Sequence, residues 1–245
     1  MTQTADKTMA RVLKILDQAE RAGTAEEAER FTERAAVLMA DHSIDQAMIE
    51  AARALHGQPA AKPEFHQVIL RRPFPHQRKD LLAWTADAMR LHPVTRTLPT
   101  DQPGQYRHRL AVELFGAPAD IDRCKLLYNS LEAQAEHLLA APSRRHQGSA
   151  WKQSWLNGFA YSVTTRIRDA EANAVVRYDT EHRLEAGQKT AALVLAGWDA
   201  VVLAFRAERF PTLGPGKVRS SSGSGFADGR AAGESADVTS RLQLA

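Results

Sequence analysis

Arginine and lysine side chains form three groups along the chain, and the chemistry that they offer is phosphate binding. A cation that neutralises a phosphate releases condensed counterions, which supplies most of the nonspecific affinity of proteins for nucleic acids. The groups are Arg71, Arg72, Arg78 and Lys79 at a predicted strand-to-helix turn; Arg107 and Arg109 on one face of a predicted strand; and Arg144, Arg145 and Lys152 around a loop. We expect these cations to bind DNA or RNA, and the alternative is an ordinary solvated basic surface.

The positive charge of the chain lies in its body. The 245 residues carry a formal net charge of +3. Residues 62–110 contain nine Lys/Arg and four Asp/Glu, whereas residues 1–55 contain seven Lys/Arg and ten Asp/Glu. A polyanion is therefore expected to meet the body of the protein and not its N-terminal segment.

Catalytic and metal-binding motifs are missing from the sequence. None of the nine histidines forms a pair at the spacing that places two ligands on one helix face, and no nucleophile elbow occurs. We predict no metal and no cofactor. The alternative function is a hydrolase or nucleotide-modifying enzyme whose site assembles from distant residues, with His66, His108 and Glu113 on predicted strands as the first candidates. Whether the protein is an enzyme stays open at this point, and the lack of recognisable catalytic motifs weighs against an enzymatic function.

The single cysteine and the apolar runs indicate a cytoplasmic protein that does not enter a membrane. Cys124 is alone, so an internal disulfide is impossible and a reducing compartment is expected. We interpret it as a half-buried small apolar residue of a helix, and not as a nucleophile. The longest apolar run, residues 191–198, is far shorter than the roughly 20 residues that cross a bilayer.

The first 56 residues predict an antiparallel helical hairpin. Apolar residues recur every three or four positions over residues 5–22 and again over 25–41, which gives each helix one apolar stripe. Gly23 ends the first helix, and Thr24 with Glu27 forms a capping box that begins the second. A third short helix is expected over residues 44–55. A second alternative function is therefore a protein–protein interaction module that docks a partner through this hairpin.

The remainder of the chain predicts an α+β body over residues 64–212 and a C-terminal unit over 213–245. Four short strands are expected, at residues 65–72, 94–98, 106–115 and 190–197, and the third of these alternates as a half-buried strand does. Helices are expected at residues 78–91, 118–141, 151–174, 199–209 and 226–238. Residues 57–63 form a linker rich in small residues and proline, and residues 214–223 form a loop rich in Ser and Gly.

Three glycines share one face of the last predicted helix. Gly225, Gly229 and Gly233 follow one another at four-residue spacing, with Arg230 beside them. Glycine inside a helix costs about 1 kcal/mol relative to alanine, so three of them indicate a specific requirement. Close packing against another backbone is one explanation, and a ligand seated on the bare face is the other.

Several segments resemble a known family of unknown function. Residues 14–20, 24–28 and 35–42 resemble, in register, the helical module known as domain of unknown function 2786, which occurs in bacterial and phage proteins. Residues 122–131, 151–160 and 225–233 resemble the uncharacterised domain that often follows this module, with Trp155 where phenylalanine is usual. The resemblance implies organisation and no activity. Together with the basic body, it leads us to expect a bacterial or phage accessory protein that binds nucleic acid.

Overall fold

The structure is a computed structural model that describes residues 62–99, 108–181, 190–214 and 223–236. It also describes six positions nearer the N-terminus: Leu38, Asp41, Ser43, Ile44, Ala47 and Met48. Most of the predicted hairpin and of the linker after it lies outside the described residues. The same holds for the loop of residues 215–222 and for the chain after residue 236.

The described part of the chain has the expected α+β class, with five helices and one three-stranded sheet. In chain order the elements are β1 (Glu64–Ile69), α1 (Pro75–Ala88), β2 (His92–Pro99), β3 (His108–Gly116), α2 (Pro118–Ala140), α3 (Ser149–Glu181), α4 (Ala191–Arg209) and α5 (Phe226–Glu234). Three of the four predicted strands are present within a few residues of their expected bounds. The helix expected over residues 151–174 is longer than predicted.

The fourth predicted strand is wrong, because residues 191–197 form the first two turns of α4. The hydroxyl of Thr190 accepts a hydrogen bond from the backbone N–H of Leu193 at 3.2 Å, which caps the start of this helix. A short apolar run is compatible with either a buried strand or a helix, and this run is rich in alanine and leucine, which favour helix. A single helix therefore replaces the predicted strand and helix.

The sheet is antiparallel throughout, in the order β1-β3-β2, with β3 at its centre. Glu113 of β3 lies between Gln67 of β1 and Val94 of β2 in the register. The expectation that β3 is half-buried is wrong, because every residue from Ala111 to Gly116 is buried. Helices cover both faces of this part of the strand, so its outward positions Ala111, Glu113 and Phe115 do not meet solvent, whereas Arg109 nearer its start is exposed.

The main core lies on one face of the sheet. Val112 and Leu114 of β3 face the helices α1, α2 and α3 there, and the core continues through Leu82, Leu131 and Phe159. On the opposite face α4 supplies Val202, which packs with Val94 and Phe115 in a second, smaller cluster. The two clusters hold the sheet between two layers, and this arrangement positions the charged residues described below.

A described position of the N-terminal segment is part of the folded body. Ile44 is fully buried and packs with Ala174 of α3 and Ala191 of α4. The neighbouring Ser43 donates a hydrogen bond from Oγ to Oδ1 of Asp120 at 2.8 Å. This part of the N-terminal segment is therefore anchored to α2, α3 and α4.

No helix in the described ranges combines the length and the apolar composition that spanning a bilayer requires.

Candidate nucleic-acid interface

An open cavity of about 310 Å³ lies where the start of α1, the second half of α2 and the start of α3 meet. Its walls are largely apolar and include Phe74, Leu81, Leu139 and Leu156. Charged side chains also line the cavity. Arg78, Glu132 and Glu136 lie on one side, and Arg145 and Lys152 lie on the other. We call this space the basic pocket. Residues that lie far apart in the sequence meet in it.

Phe74 enters the basic pocket from an unusual backbone conformation. Its φ of 63° and ψ of 46° are left-handed, although it is not glycine. Such a conformation costs a bulky residue on the order of 1–3 kcal/mol and persists only where its surroundings require it. The next residue, Pro75, occupies the first turn of α1, and the carbonyl of Phe74 accepts from the N–H of Arg78 at 3.1 Å. The strained residue therefore sets the direction in which α1 leaves the pocket.

Arg78 is buried at the wall of the pocket, where α2 neutralises its charge. Its guanidinium donates to Glu132, to Oε1 of Glu136 at 2.5 Å, and to the carbonyl of Pro73 at 2.9 Å. Arg71 also binds Glu132, with Nη2 at 2.5 Å from Oε2. A buried cation requires such partners, because an isolated charge in the interior costs several kcal/mol.

Glu132 is ionised at the centre of this network. Burial alone would raise its pKa, but hydrogen bonds from Arg71 and Tyr128 and the charge of Arg78 together hold the pKa below its ordinary value. The hydroxyl of Tyr128 donates to Oε1 of Glu132 at 2.8 Å. Burial, together with the neighbouring carboxylate, raises the pKa of Tyr128, so the phenol remains a donor.

The opposite wall of the basic pocket carries cations without a carboxylate partner among the described residues. Lys152 donates from Nζ to the carbonyl of Arg145 at 2.9 Å, and Arg145 donates from Nε to the ring of His146 at 3.0 Å. Arg144 donates to the carbonyl of Leu138 at 3.3 Å, and its guanidinium lies 5.7 Å from the centre of the Trp155 ring. Arg145 and Lys152 line the cavity and are available to an anion, whereas Arg78 is already neutralised. Arg144 precedes Arg145 in the loop and is not itself part of the cavity lining.

The structure gathers part of the predicted basic set and disperses the rest. Arg78 and Arg145 line the basic pocket, Arg71 binds the lining residue Glu132 at its rim, and Arg144 precedes Arg145 in the loop. Arg72 is exposed beside them, and Lys79 forms an ion pair with its neighbour Asp80. Arg109 is exposed on β3, on the face of the sheet that carries α4, and Arg107 lies outside the described residues.

Sequence reasoning did not identify Glu132 and Glu136, which hold two of the predicted cations. Tyr128, Glu132 and Glu136 follow one another at four-residue spacing, so they share one face of α2. That spacing is a signal that the sequence contains. A polar stripe on an otherwise core-facing helix indicates a buried partner of opposite charge.

A second charged cluster lies on the face of the sheet that carries α4. The side chain of Glu113 is fully buried, and its Oε1 accepts from Gln67 at 3.0 Å and from Arg96 at 2.8 Å. Its Oε2 accepts from Nε of Arg209 at 2.9 Å. Burial by itself would raise the pKa of Glu113, but these three hydrogen bonds lower the pKa by more than burial raises it. The pKa of Glu113 therefore lies below its ordinary value. We call Arg96 and Arg209, held by Glu113, the arginine clasp.

The residues named for the alternative enzyme do not form a common site. Glu113 points toward α4 and is saturated by the arginine clasp. His66 pairs with Leu114, so it belongs to the opposite face of the sheet, and His108 pairs with Pro99 at the far end of β3. Among the described residues no three His, Cys, Asp or Glu side chains are grouped closely enough to hold a metal ion.

The backbone of α3 occupies the face that the three glycines of the C-terminal segment leave open. A Cβ atom on Gly229 would lie 1.9 Å from the carbonyl oxygen of Trp155, and one on Gly225 would lie 2.5 Å from that of Trp151. Gly158 of α3 faces α5 in the same way, since a Cβ atom added to it would lie 2.1 Å from the carbonyl oxygen of Phe226. Arg230 points away and pairs with Glu234 at 3.1 Å.

Cys124 is more deeply placed than the sequence indicated. It is fully buried in the main core, where burial raises the pKa of its thiol to about 12. A thiolate nucleophile is therefore not available at this position.

Comparison with known proteins finds a match for one part of the chain. No curated protein and no solved structure matches the chain. The resemblance of residues 122–131, 151–160 and 225–233 to a following domain stays a prediction. Residues 7–46 match the family described as "Protein of unknown function (DUF2786)", which confirms the family resemblance of the N-terminal segment.

Proposed function

We propose that this protein binds single-stranded nucleic acid at the basic pocket. The observation that carries the proposal is the meeting of a largely apolar cavity of about 310 Å³ with two lining cations, Arg145 and Lys152, that lack a carboxylate partner among the described residues. Phosphate groups would contact Arg144, Arg145 and Lys152, and one unstacked base would enter between Phe74 and Leu156. The bacterial or phage setting and the cytoplasmic location expected from the sequence belong to the same proposal.

The chemistry of the pocket favours a ligand with an anionic and an apolar part. Its volume is near the lower end of the range for small-molecule sites. Arginine and lysine contact phosphates, while apolar and aromatic walls accept the face of any base without reading its sequence. We therefore expect little sequence preference and a strong dependence on salt.

A single strand fits this geometry better than a duplex. The bases of a duplex are stacked and paired, so placing one in a cavity requires unpairing, which costs a few kcal/mol. A single strand presents its bases without that cost. A free nucleotide offers the same phosphate and base, and the experiment below distinguishes it from a strand.

Fluorescence anisotropy with a labelled single strand, a duplex and a free nucleotide as competitor tests the proposal. We expect the full-length protein to bind the single strand most tightly, with affinity falling steeply between about 50 mM and 200 mM salt. The double variant Arg145→Ala/Lys152→Ala should bind more weakly and reduce the salt slope by about 2. Displacement by a nucleotide at equal concentration would instead indicate a small-molecule site.

A charge-matched control separates the pocket from general electrostatics. Lys125 and Arg168 are surface cations paired with Asp122 and Asp87. The variant Lys125→Ala/Arg168→Ala also loses two positive charges, and we expect it to bind as the wild type does within about twofold. Equal loss of affinity in the two double variants would contradict a specific role for the pocket. Absence of binding at about 50 mM salt would remove the proposal altogether.

A further inference from the structure

The arginine clasp carries more positive charge than its partner neutralises. Two guanidinium groups share the one carboxylate of Glu113, so the cluster keeps one net positive charge. No second carboxylate of a described residue lies at ion-pair distance from Arg96 or Arg209. Burial of a carboxylate costs desolvation free energy, and an apolar residue at position 113 would stabilise the strand as well or better. Stability alone therefore does not account for the cluster, and this points to a function for the two arginines.

The geometry fixes both guanidinium groups and leaves donors free. Arg96 uses one Nη for Glu113, and Arg209 uses its Nε. The guanidinium of Arg209 lies 3.8 Å from the centre of the Phe65 ring, and that of Arg96 lies 5.5 Å from the centre of the Phe210 ring. Each arginine is thus oriented by a carboxylate on one side and an aromatic ring on another. Preorganised arginines lose less conformational entropy when they bind an anion.

The clasp is accessible from solvent although Glu113 is not. The side chains of Arg96 and Arg209 are 40% and 38% exposed, whereas that of Glu113 is fully buried. Phe65 and Ile69 on the same sheet face are also partly exposed, and the exposed Arg109 belongs to this face. The remaining N–H groups can therefore reach a bound anion without any change in the fold.

We propose that Arg96 and Arg209 form a second phosphate site, which binds the backbone of the same strand that enters the basic pocket. This inference rests on the proposed function. The clasp lies on the face of the sheet that carries α4, whereas the basic pocket is built from α1, α2 and α3, which cover the other face. The strand β1, which carries Phe65, is an edge strand of the sheet. Arg71, whose side chain is 64% exposed, follows β1 at the rim of the pocket. From Phe65 to Arg71 the chain covers about 20 Å at roughly 3.3 Å per residue, a distance that several nucleotides can bridge.

Oligonucleotides of two lengths test the second site in the full-length protein. The triple variant Arg96→Met/Glu113→Leu/Arg209→Met removes the whole cluster, so it leaves no unpaired buried charge. We expect it to bind an oligonucleotide of about 16 nucleotides roughly tenfold more weakly, with a salt slope lower by about 2. Its affinity for an oligonucleotide of about 4 nucleotides, which occupies the basic pocket alone, should be unchanged.

Matched variants make the result decisive. Arg168→Met also lowers the net charge by one and should leave both affinities unchanged. If the triple variant does not fold, Arg96→Lys/Arg209→Lys keeps the pairing with Glu113 and loses the planar fork, so it should weaken binding of the long oligonucleotide alone.

The outcomes distinguish this inference from the proposed function. If the folded cluster variant binds the long oligonucleotide as the wild type does while Arg145→Ala/Lys152→Ala binds weakly, the second site is refuted and the pocket function stands. If the wild type binds neither length, both proposals fail.

Discussion

Arg78 and Glu132 form a buried ion pair that is part of the wall of the basic pocket. Arg78 is buried between α1 and α2, and Glu132 receives hydrogen bonds from Arg71, Arg78 and Tyr128. Removal of one member of such a pair leaves an uncompensated charge in the interior, and this costs about 3–5 kcal/mol. The pair therefore stabilises the wall of the basic pocket only as a complete set.

The fall in the free energy of unfolding at acid pH, the acid limb of the stability curve, should depend on the ionisation of Glu132. Its pKa lies below the ordinary value in the folded protein, so the unfolded chain binds protons first as the pH falls. Stability from this group is complete above the ordinary carboxyl pKa and is lost as the pH falls through the lower, folded pKa. We expect Glu132→Gln to lose roughly 3 kcal/mol near neutral pH and to flatten the acid limb, measured by urea unfolding across pH.

Glu136 supplies the control for this measurement. Its side chain is 49% exposed, and it binds the same guanidinium of Arg78. Glu136→Gln should cost within about 1 kcal/mol and keep the acid limb steep. An acid limb that is identical in Glu132→Gln and the wild type would show that folding does not lower the pKa of Glu132.

At the scale of elements, the contact between α3 and α5 depends on glycine. The two helices approach until their backbones touch, with Gly158 on α3, Gly229 and Gly233 on α5, and Gly225 immediately before α5. Such an approach increases dispersion contacts along both helices, and it offsets the conformational cost of glycine. Ser162 and Phe159 of α3 complete the contact at Gly233.

Two glycine-to-alanine substitutions of opposite sign test this contact. Gly229→Ala would place a methyl group 1.9 Å from the carbonyl of Trp155, so the helices must separate, and we expect a loss of about 2 kcal/mol or more. Gly197 of α4 has no atom within 4 Å of the added carbon, so Gly197→Ala should stabilise by about 0.5–1 kcal/mol. Urea unfolding followed by tryptophan fluorescence measures both. A stabilised Gly229→Ala variant would contradict close packing.

At the scale of the whole molecule, the N-terminal segment and the body meet in a buried seam. Ile44 lies in an apolar cluster between α3 and α4, and Asp41 pairs with Arg177 at 2.5 Å. Ser43 also accepts a hydrogen bond from Arg90, which binds Glu171 at 2.8 Å. Described positions of the segment that matches the family of unknown function therefore pack against the body, and Ile44 contributes to its core.

Truncation of Ile44 should destabilise the whole body. We expect Ile44→Ala to cost about 2–4 kcal/mol in global unfolding, because the residue is fully buried. Leu193→Ala on α4 is the control, since that side chain is 62% exposed and its loss should change stability by less than about 0.5 kcal/mol. Equal effects would mean that the seam does not contribute to folding.

The sequence by itself determined the features that depend on near neighbours. Alternation predicted β3, and three- and four-residue spacing predicted α2 and α3, because the period of an element is set by residues a few positions apart. The glycine spacing on α5 indicated an unusual requirement before any partner was known. The same local signal misled at residues 190–197, where an apolar run of strand length proved to be part of a helix.

Only the tertiary structure decided which charges are free and which are neutralised. Arg71 and Arg145 look alike in sequence, yet the first binds Glu132 and the second has no described carboxylate beside it. The surroundings of Glu113 depend on the register that aligns Gln67 with it and on α4, which brings Arg209 from 96 positions away. Electrostatic energy depends on distance in space and on burial, and a single sequence encodes neither directly.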